Sequence, residues 1–370
     1  MKARMMVVRT GFAGLMAGAL LLAACGDRQG AVEAPDPASD QPLAAQDAAE
    51  PSETLAAVRA RGRLNCGVHQ GLVGFAYTDN RGQWRGFDVD FCRATAAAVL
   101  GDPEAVRFVP LNIGERFEAL AEGRIDVLWR NTSWTMGRDA GERMEFAGVN
   151  YYDGQGFLAR RSLNLASVAE LDGARICVQT GSTTELNLAD YFSERGLRYE
   201  AVAADSEEAA REAYAREDCD AFTGDVSALA AARAMLGNPQ AHAILPEVIS
   251  KEPLGPVVRR GDDQWTDIVR WTLNALILAE ELGVTQANVE TLARESTNPQ
   301  VRRLLGVEGG FGAMMGLSDA WAHDAVAGVG NYGEIFDRNL GARSSLDLAR
   351  GLNARWNANP RGLMYALPIR

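Results

Sequence analysis

The chain has 370 residues, 47% of them hydrophobic, with 38 glycines and 13 prolines, which suits two domain-sized cores and excludes a fibrous or globally disordered protein. Its 37 basic and 49 acidic residues give a net charge of −12, so we expect no nucleic-acid partner.

The first 25 residues have the pattern of an export signal. Three basic residues form a positive head, and the uncharged run 11–24 is too short to span a bilayer. The run Leu22-Ala23-Ala24-Cys25 resembles the lipobox of a bacterial lipoprotein, in which Cys25 would be lipidated and become the mature N-terminus. An ordinary secretory signal cleaved nearby is the alternative. Both predict a periplasmic protein, and a lipidated Cys25 would anchor it to the membrane.

Export places the other four cysteines in a compartment that permits disulfides. Cys66 and Cys92 lie in one half of the chain and Cys177 and Cys219 in the other, without CxxC spacing, so we expect no metal site. Of the three connectivities we favour the two local pairs, of which the Cys66–Cys92 loop would contribute about 3 kcal/mol. Buried free thiols are the alternative.

Residues 26–53 are rich in Ala, Pro, Asp, Gln and Ser, a composition typical of a disordered tether. Strand and helix patterns alternate after it, which favours parallel or mixed α/β sheets. The first unit has predicted strands at 64–68, 106–109 and 125–129, a hairpin at 77–84, and helices at 54–60, 86–100 and 115–122.

A glycine-containing run, 146–157, is a natural place for the chain to leave the first sheet. The second unit has predicted strands at 174–178, 199–202 and 221–223 and helices at 186–195, 206–216 and 226–236. Residues 246–256 bring the chain out again, before a long helix at 265–282 and a glycine-broken helical remainder.

These elements predict two mixed α/β lobes joined by two hinge crossings, with a helical C-terminal extension. One lobe comprises residues 54–150 and 251–370 with the extension, and the other comprises residues 151–250. Two such lobes enclose a cleft, and α/β sheets bind ligands beyond the C-terminal ends of their strands.

The turn after strand 125–129 carries side chains suited to an anion. Asn131, Thr132 and Ser133 precede a helix-like run at 137–143, where unpaired N–H groups and the helix dipole would favour a carboxylate. Arg138 can add a bidentate guanidinium fork. Taken alone, this stretch favours a capped helix with a surface arginine.

A second hydroxyl-rich turn, Gly181 to Thr184, lies in the other lobe, where Asp225 closes a strand and starts a helix. Ordinary helix capping would explain both features. A carboxylate-binding turn with Arg138 opposite a single acid instead matches an α-amino acid, whose carboxylate would bind Arg138 and whose ammonium would bind Asp225.

Several runs together resemble the periplasmic solute-binding proteins of polar amino-acid ABC transporters, and closely the general L-amino-acid-binding subgroup. They are RGFDVDFCRA (85–94), FAGVNYYDGQGF (146–157), ICVQTGSTTELNLADYF (176–192), LPEVISKEPLGPVVR (245–259), AGVGNYGEIF (327–336) and LMYALPIR (363–370). The resemblance covers roughly residues 55–370. It implies a type 2 periplasmic-binding-protein fold that closes over a free L-amino acid and delivers it to an ABC transporter permease, as a monomer without a cofactor.

The resemblance also implies roles for individual residues. Arg138 would clamp the carboxylate with help from Asn131 and Ser133, while Thr183 would bind it from the second lobe. Asp225 would take the ammonium.

Arg116 and His69 occupy side-chain-pocket positions, and an arginine at the place of Arg116 suggests Glu, Asp or their amides as ligands. His69 stands where acidic-amino-acid binders place another arginine, so the resemblance does not imply strict acidic specificity. A solvated helix charge and a loop histidine without a ligand role are the respective alternatives. The lipobox departs from the cleaved signal usual in this subgroup.

Two other functions compete with transport. An enzyme on the same fold, such as an arogenate or prephenate dehydratase, would need a general acid or base, for which His69 and Asp225 are the candidates. A lipoprotein that senses amino acids would share every feature of the cleft. We expect a binding protein rather than an enzyme.

Overall fold

The computed structural model describes residues 51–142 and 144–370. The predicted export signal, Cys25 and nearly all of the predicted tether lie outside these residues. None of the helices described is both long and apolar enough to cross a membrane.

Strands and helices alternate along most of the described chain. The strands, numbered in chain order, are β1 (Leu64–His69), β2 (Tyr77–Thr78), β3 (Trp84–Arg85), β4 (Val106–Leu111), β5 (Val127–Leu128), β6 (Met144–Phe146), β7 (Tyr151–Asp153), β8 (Gln155–Arg160), β9 (Ala174–Gln179), β10 (Tyr199–Ala204), β11 (Ala221–Asp225), β12 (His242–Ile244), β13 (Glu252–Leu254) and β14 (Val257–Arg259). The α-helices are α1 (Glu53–Arg61), α2 (Phe87–Leu100), α3 (Arg116–Ala121), α4 (Thr183–Glu194), α5 (Glu207–Ala215), α6 (Val226–Ala234), α7 (Asp263–Leu282), α8 (Val289–Glu295), α9 (Pro299–Leu304), α10 (Phe311–Met314), α11 (Trp321–Val329) and α12 (Tyr332–Asn339). Apart from the helix-like run at 137–143, each element predicted between residues 54 and 282 is present, with its ends shifted by at most three residues.

Two five-stranded mixed sheets form the cores of the two lobes. In the first lobe the strand order is β4-β1-β5-β14-β6. Strand β1 is parallel to both of its neighbours, whereas β14 is antiparallel to both of its own. In the second lobe the order is β10-β9-β11-β8-β12. Strand β9 is parallel to both of its neighbours, whereas β8 is antiparallel to both of its own. The predicted two-lobed α/β architecture is confirmed.

The two crossings between the lobes pair with each other. β7 and β13 form a two-stranded antiparallel ladder in which Asp153 faces Glu252 and Tyr152 faces Pro253. Just before this ladder the two backbones approach so closely that a Cβ atom on Gly255 would lie 2.0 Å from the carbonyl oxygen of Gly148. Glycine is therefore required at position 255 for the crossings to meet.

The C-terminal extension packs onto the first lobe. Phe87 and Phe91 on α2 make edge-on or tilted contacts with Tyr332 on α12, and Phe91 also stacks on Trp129 with ring centroids 4.8 Å apart. The buried Tyr332 hydroxyl donates a hydrogen bond of 2.8 Å to the carbonyl oxygen of Asn150. The extension thus shares the first lobe's core and reaches the start of a hinge crossing.

Both disulfides join cysteines within one lobe. Cys66 on β1 is bonded to Cys92 on α2, and Cys177 on β9 is bonded to Cys219, just before β11. All four side chains are fully buried. The two local pairs predicted from the sequence are confirmed, and the alternative of free thiols is wrong.

One predicted helix has a different form. The run 137–143 was expected to begin an ordinary helix, but the described part of it is a five-residue π-helix, Gly137–Gly141. So short a helix carries little dipole, because the macrodipole is the sum of its aligned peptide units. This changes how the preceding turn can hold an anion.

Candidate functional site

A cavity that is partly open to solvent lies between the two lobes. It opens at the C-terminal ends of β1, β5, β9 and β11, where α/β sheets bind their ligands. All seven residues predicted to bind ligand line it. The complete lining is His69, Ile113, Arg116, Arg130, Asn131, Ser133 and Arg138 from the first lobe and Gln179, Ser182, Thr183, Thr184, Glu207, Phe222, Thr223, Gly224, Asp225 and Ala228 from the second.

Arg138 is a buried cation in the wall of this cavity. Its Nη1 atom donates a hydrogen bond of 2.9 Å to the carbonyl oxygen of Ser133, and its guanidinium lies 5.8 Å from the ring centroid of Phe117. Burial lowers the pKa of Arg138, while Glu252, Glu142 and Asp225 act in the opposite direction. A guanidinium carries five N–H donors and stays charged in proteins, so Arg138 retains donors for a carboxylate.

The turn from Asn131 to Trp134 is extended rather than the start of a helix, which corrects the expectation from the sequence. Ser133 bridges to Leu254, while Trp134 N–H donates to Pro253 at 2.8 Å and Gly255 N–H donates to Thr132 at 3.0 Å. The turn therefore continues the ladder of hinge strand β13. An anion at this turn would therefore be held by Arg138 and individual polar groups and not by a helix N-terminus.

Asn131 is held in place by a buried acid that the sequence did not single out. Its backbone N–H donates to the Asp88 carboxylate at 3.0 Å, and Asn150 donates to the other oxygen of Asp88 at 3.4 Å. Burial raises the pKa of Asp88 to about 7, despite these hydrogen bonds. The side-chain Oδ1 of Asn131 is buried and accepts no hydrogen bond from the described residues.

In the opposite lobe, Ser182 caps α4 and Thr183 faces the hinge. The Ser182 hydroxyl accepts a hydrogen bond of 3.1 Å from Glu185 N–H, so capping explains this residue. The Thr183 hydroxyl donates to Glu252 Oε2 at 3.1 Å. The first N–H groups of a helix have no intrahelical partner, so α4 can offer main-chain donors to an anion in the cavity.

Asp225 does not cap the helix that it precedes, so capping does not account for this acid. Its side chain makes no capping hydrogen bond to α6, and its buried Oδ1 lacks a hydrogen-bond partner within the part of the chain that the structure describes. Burial and the nearby acids Asp153 and Glu252 raise the pKa of Asp225 well above its usual value. A cation bound beside this carboxylate would relieve both its desolvation and the repulsion between acids.

Arg116 and Arg130 make the far end of the cavity positive. Arg116 is 3% exposed and its Nε has no partner among residues 51–142 and 144–370, so the alternative of a solvated surface charge is wrong. Its guanidinium lies over the Phe117 ring, 4.7 Å from the centroid. Arg130 donates from Nε to Leu111 at 3.0 Å, and burial lowers its pKa to about 10. Burial, Arg130 and Arg138 lower the pKa of Arg116 as well. A guanidinium nevertheless keeps its charge in proteins, so both arginines are cations at neutral pH.

His69 is neutral and spans the cleft. Burial, Arg130 and Arg116 hold its pKa well below the usual value. Nδ1 accepts a hydrogen bond of 3.0 Å from Gly71 N–H, which assigns the ring proton to Nε2. Nε2 lies 3.7 Å from Glu207 Oε2 of the other lobe.

The lining includes residues that sequence reasoning missed. Arg130 stood at the head of the motif that contains Asn131 and could have been found there. Glu207 follows the N-cap residue Ser206 and looked like an ordinary first-turn acid. Its contact with His69 depends on how the two lobes meet, which no local pattern reports.

Residues 64–287 match the family described as bacterial extracellular solute-binding proteins, family 3. The general L-amino acid-binding periplasmic protein AapJ of Rhizobium johnstonii is 53% identical, over 89% of this chain and 96% of its own length. The glutamate/glutamine/aspartate/asparagine-binding protein BztA of Rhodobacter capsulatus is 53% identical, over 86% of this chain and 94% of its own length.

A solved structure gives the same result for the fold. An ABC transporter periplasmic binding protein from Brucella ovis, with glutathione bound, superimposes with a TM-score of 0.83 and 52% sequence identity. The match covers 86% of this chain and 99% of the Brucella chain.

Proposed function

The chain belongs to the family 3 bacterial extracellular solute-binding proteins, and we propose that it binds a free L-amino acid between its lobes and delivers it to an ABC transporter permease. This resemblance was already evident from the sequence and is confirmed. The observation that carries the proposal is the placement of Arg138 and Asp225 on opposite lobes of one cavity. A buried guanidinium with spare donors and a buried carboxylate whose Oδ1 has no partner among the described residues are complementary to the two charges of an amino acid.

The ligand's carboxylate would bind Arg138, with Asn131 and Ser133 on the same lobe and Thr183 at the start of α4. Since the Thr183 hydroxyl already donates to Glu252, its backbone N–H is the donor available for the ligand. The ammonium would bind Asp225, which lowers the pKa of that carboxyl by stabilising its charged form.

The ligand's side chain would point toward Arg116, Arg130 and His69. Two buried arginines favour a carboxylate or an amide oxygen there. BztA, named for glutamate, glutamine, aspartate and asparagine, supports this class of ligand. We therefore favour acidic amino acids and their amides.

A γ-glutamyl peptide is a second candidate ligand. The amino-acid cavity adjoins a second cavity that is also partly open to solvent. The two share His69, Ile113, Arg130, Gln179 and Glu207 in their linings. A substituent on the ligand's side chain could extend into this second space. The glutathione bound to the Brucella ovis relative supports the idea.

Closure would occur at the paired crossings. We treat residues 54–150 with 251–370 as one lobe and residues 151–250 as the other, and the β7–β13 ladder as the hinge between them. Bound ligand would join the lobes by contacting Arg138 on one side and Asp225 on the other. The closed form, as a monomer, would dock on the permease.

We place the protein in the periplasm because of its family. The relatives AapJ and BztA are named as binding proteins, and AapJ as a periplasmic one. Lipidation of Cys25 would add a membrane anchor, supported by the small residues that precede it. Metabolic labelling with a fatty-acid analogue tests the anchor, and a Cys25→Ser variant should lose the label.

The relatives are binding proteins and not enzymes, so a dehydratase is not favoured. A role in amino-acid sensing would use the same cleft, and uptake of labelled amino acids by a deletion strain separates it from transport.

Isothermal titration calorimetry with the twenty L-amino acids and glutathione tests the binding function. We expect at least one acidic amino acid or amide to bind with micromolar or tighter affinity, equivalent to about −8 kcal/mol. The absence of heat with every ligand would overturn the proposal. A thermal-shift panel provides an independent readout, because ligand bound to the native state raises its stability.

A further inference from the structure

Glu207, at the start of α5 in the second lobe, faces the basic side chains of the first. Its Oε2 lies 3.7 Å from His69 Nε2, and its side chain is 17% exposed. It lines the amino-acid cavity together with Arg116 and Arg130. In the described lining, Glu207 and Asp225 are the two acids.

We propose that Glu207 sets the preference of the pocket between acidic side chains and their uncharged amides. The inference rests on the proposed function, in which Arg138 and Asp225 pair with the charges common to all amino acids. Arg116 and Arg130 then remain as two positive charges at the side-chain end of the cavity, and Glu207 is the acid of the described lining that remains to oppose them. Asp88, Glu115 and Glu142 act on the two arginines from outside the lining, and their contribution is common to every ligand.

The charge balance determines which ligands the pocket accepts. With Glu207 ionised, an acidic side chain brings the total at this end to zero, and an amide leaves one positive charge. Without that carboxylate, an amide would leave two positive charges in a poorly solvated space, where unpaired charge is costly. Glu207 thus makes amides acceptable and moderates the attraction for acids.

Folding of α5 does not require the Glu207 carboxylate. Ser206 caps the helix, because its hydroxyl accepts a hydrogen bond of 3.0 Å from Ala209 N–H. The Glu207 side chain instead enters the cleft, where it lines both adjoining cavities. The charged or titratable groups that act on it or lie across the cavity come from several elements: His69, Arg116, Arg130, Arg138, Asp225 and Arg211.

The charge of Glu207 is also adjustable near neutral pH. Burial raises its pKa to about 7, although Arg130 and Arg211 act to lower it. His69 is already neutral in this range, and Arg116 and Arg130 stay charged. Loss of the Asp225 charge would weaken glutamate and glutamine binding equally, so it cancels in their ratio.

The test compares glutamate and glutamine binding by calorimetry at pH 8 in the wild type, Glu207→Gln and Glu208→Gln. Glu208 is the matched control, since it is the adjacent acid on α5, 75% exposed, and does not line the amino-acid cavity. We expect Glu207→Gln to raise the ratio of the glutamine Kd to the glutamate Kd about tenfold, a change of about 1.4 kcal/mol. Glu208→Gln should leave the ratio unchanged.

The outcomes are distinguishable. If Glu207→Gln weakens both ligands equally, Glu207 only links the lobes and the specificity assignment is wrong. A wild type that binds no amino acid would instead contradict the proposed function. Should Glu207→Gln fail to fold, the wild-type ratio measured from pH 8 to pH 6 decides, because it should rise as Glu207 is protonated, and a constant ratio would overturn the assignment.

Discussion

The side-chain amide of Asn353 pairs with both backbone polar groups of Tyr152. Tyr152 N–H donates to Asn353 Oδ1 at 2.7 Å, and Asn353 Nδ2 donates to the Tyr152 carbonyl at 3.0 Å. On its other side, Tyr152 faces Pro253 across the β7–β13 ladder, and proline has no N–H to give. The C-terminal extension therefore supplies, through the side chain of Asn353, hydrogen bonds to the edge of hinge strand β7.

We expect Asn353→Ala to destabilise the protein. It would leave an N–H and a C=O of the half-buried Tyr152 without their partners, at a cost of about 2 kcal/mol. Thermal or urea unfolding measures the loss. Asn357→Ala, an exposed position on the same segment, is the control and should change stability little. Equal stability of the two variants would show that the hinge does not depend on the hydrogen bonds between Asn353 and Tyr152.

Arg138→Ala should weaken amino-acid binding about 100-fold or more, since removing one partner of a buried charge pair costs several kcal/mol. Calorimetry measures the affinity, and circular dichroism checks that the fold is retained. Arg260→Ala removes a half-exposed arginine that pairs with Asp139 outside the cavity, and it should bind normally. Unchanged affinity in Arg138→Ala would move the carboxylate site elsewhere.

Asp225→Asn should lose binding and yet gain stability in the absence of ligand. A carboxyl whose pKa is raised in the folded state destabilises that state at any pH above its unfolded pKa. At pH 8 the variant should therefore be more stable by at least about 1 kcal/mol, with the gain shrinking as the pH falls toward 4. Differential scanning calorimetry on both proteins tests this.

Asp220→Asn should change the stability of the protein in the direction opposite to Asp225→Asn. Hydrogen bonds and charge from Arg175 hold the pKa of Asp220 below its usual value, so its charge supports the fold. This variant should lose stability at pH 8. If Asp225→Asn also loses stability, the pKa of Asp225 is not raised.

The unliganded wild type should become more stable as the pH falls from 8 to about 5. Burial raises the pKa of Asp88 and Glu207 to about 7, that of Asp153 to about 6, and that of Asp225 also upward. The folded state therefore binds more protons than the unfolded state in this window, so stability falls as pH rises. His69 and His242, whose pKa values are lowered, act in the opposite direction below their unfolded value of about 6.5, but they are two groups against these four.

Urea midpoints across this pH range provide the measurement. Ligand binding should show the reverse trend, because the ammonium binds the ionised form of Asp225. A midpoint that rises steadily from pH 5 to pH 8 without ligand would contradict the raised pKa values.

The sequence was sufficient for those parts of the site that follow a strand. Arg138 and Asp225 could be located because a buried strand and a polar turn precede each of them, and the local disulfides follow from the division into two units. The extended pairing of Ser133 with Leu254 could not be predicted, because the partner strand lies more than a hundred residues away. Strand β14 was missed for a related reason, since three residues are too few to show a period.

The burial of charged groups was the other feature that could not be predicted from the sequence. Arg116 has the sequence pattern of a surface helix residue, and the packing of the first lobe around it decides that it is enclosed. The contact between Glu207 and His69 arises from the meeting of two separately folded lobes. Such features depend on tertiary geometry that no window of sequence contains.

Each disulfide closes within a single lobe, Cys66 with Cys92 and Cys177 with Cys219. Disulfide formation after export would therefore stabilise each lobe against unfolding. It would place no covalent restraint on the movement of one lobe relative to the other. A binding protein that releases its ligand in every cycle thus has its disulfides within the lobes. The hinge between the lobes is held by hydrogen bonds, which can reform each time the lobes move.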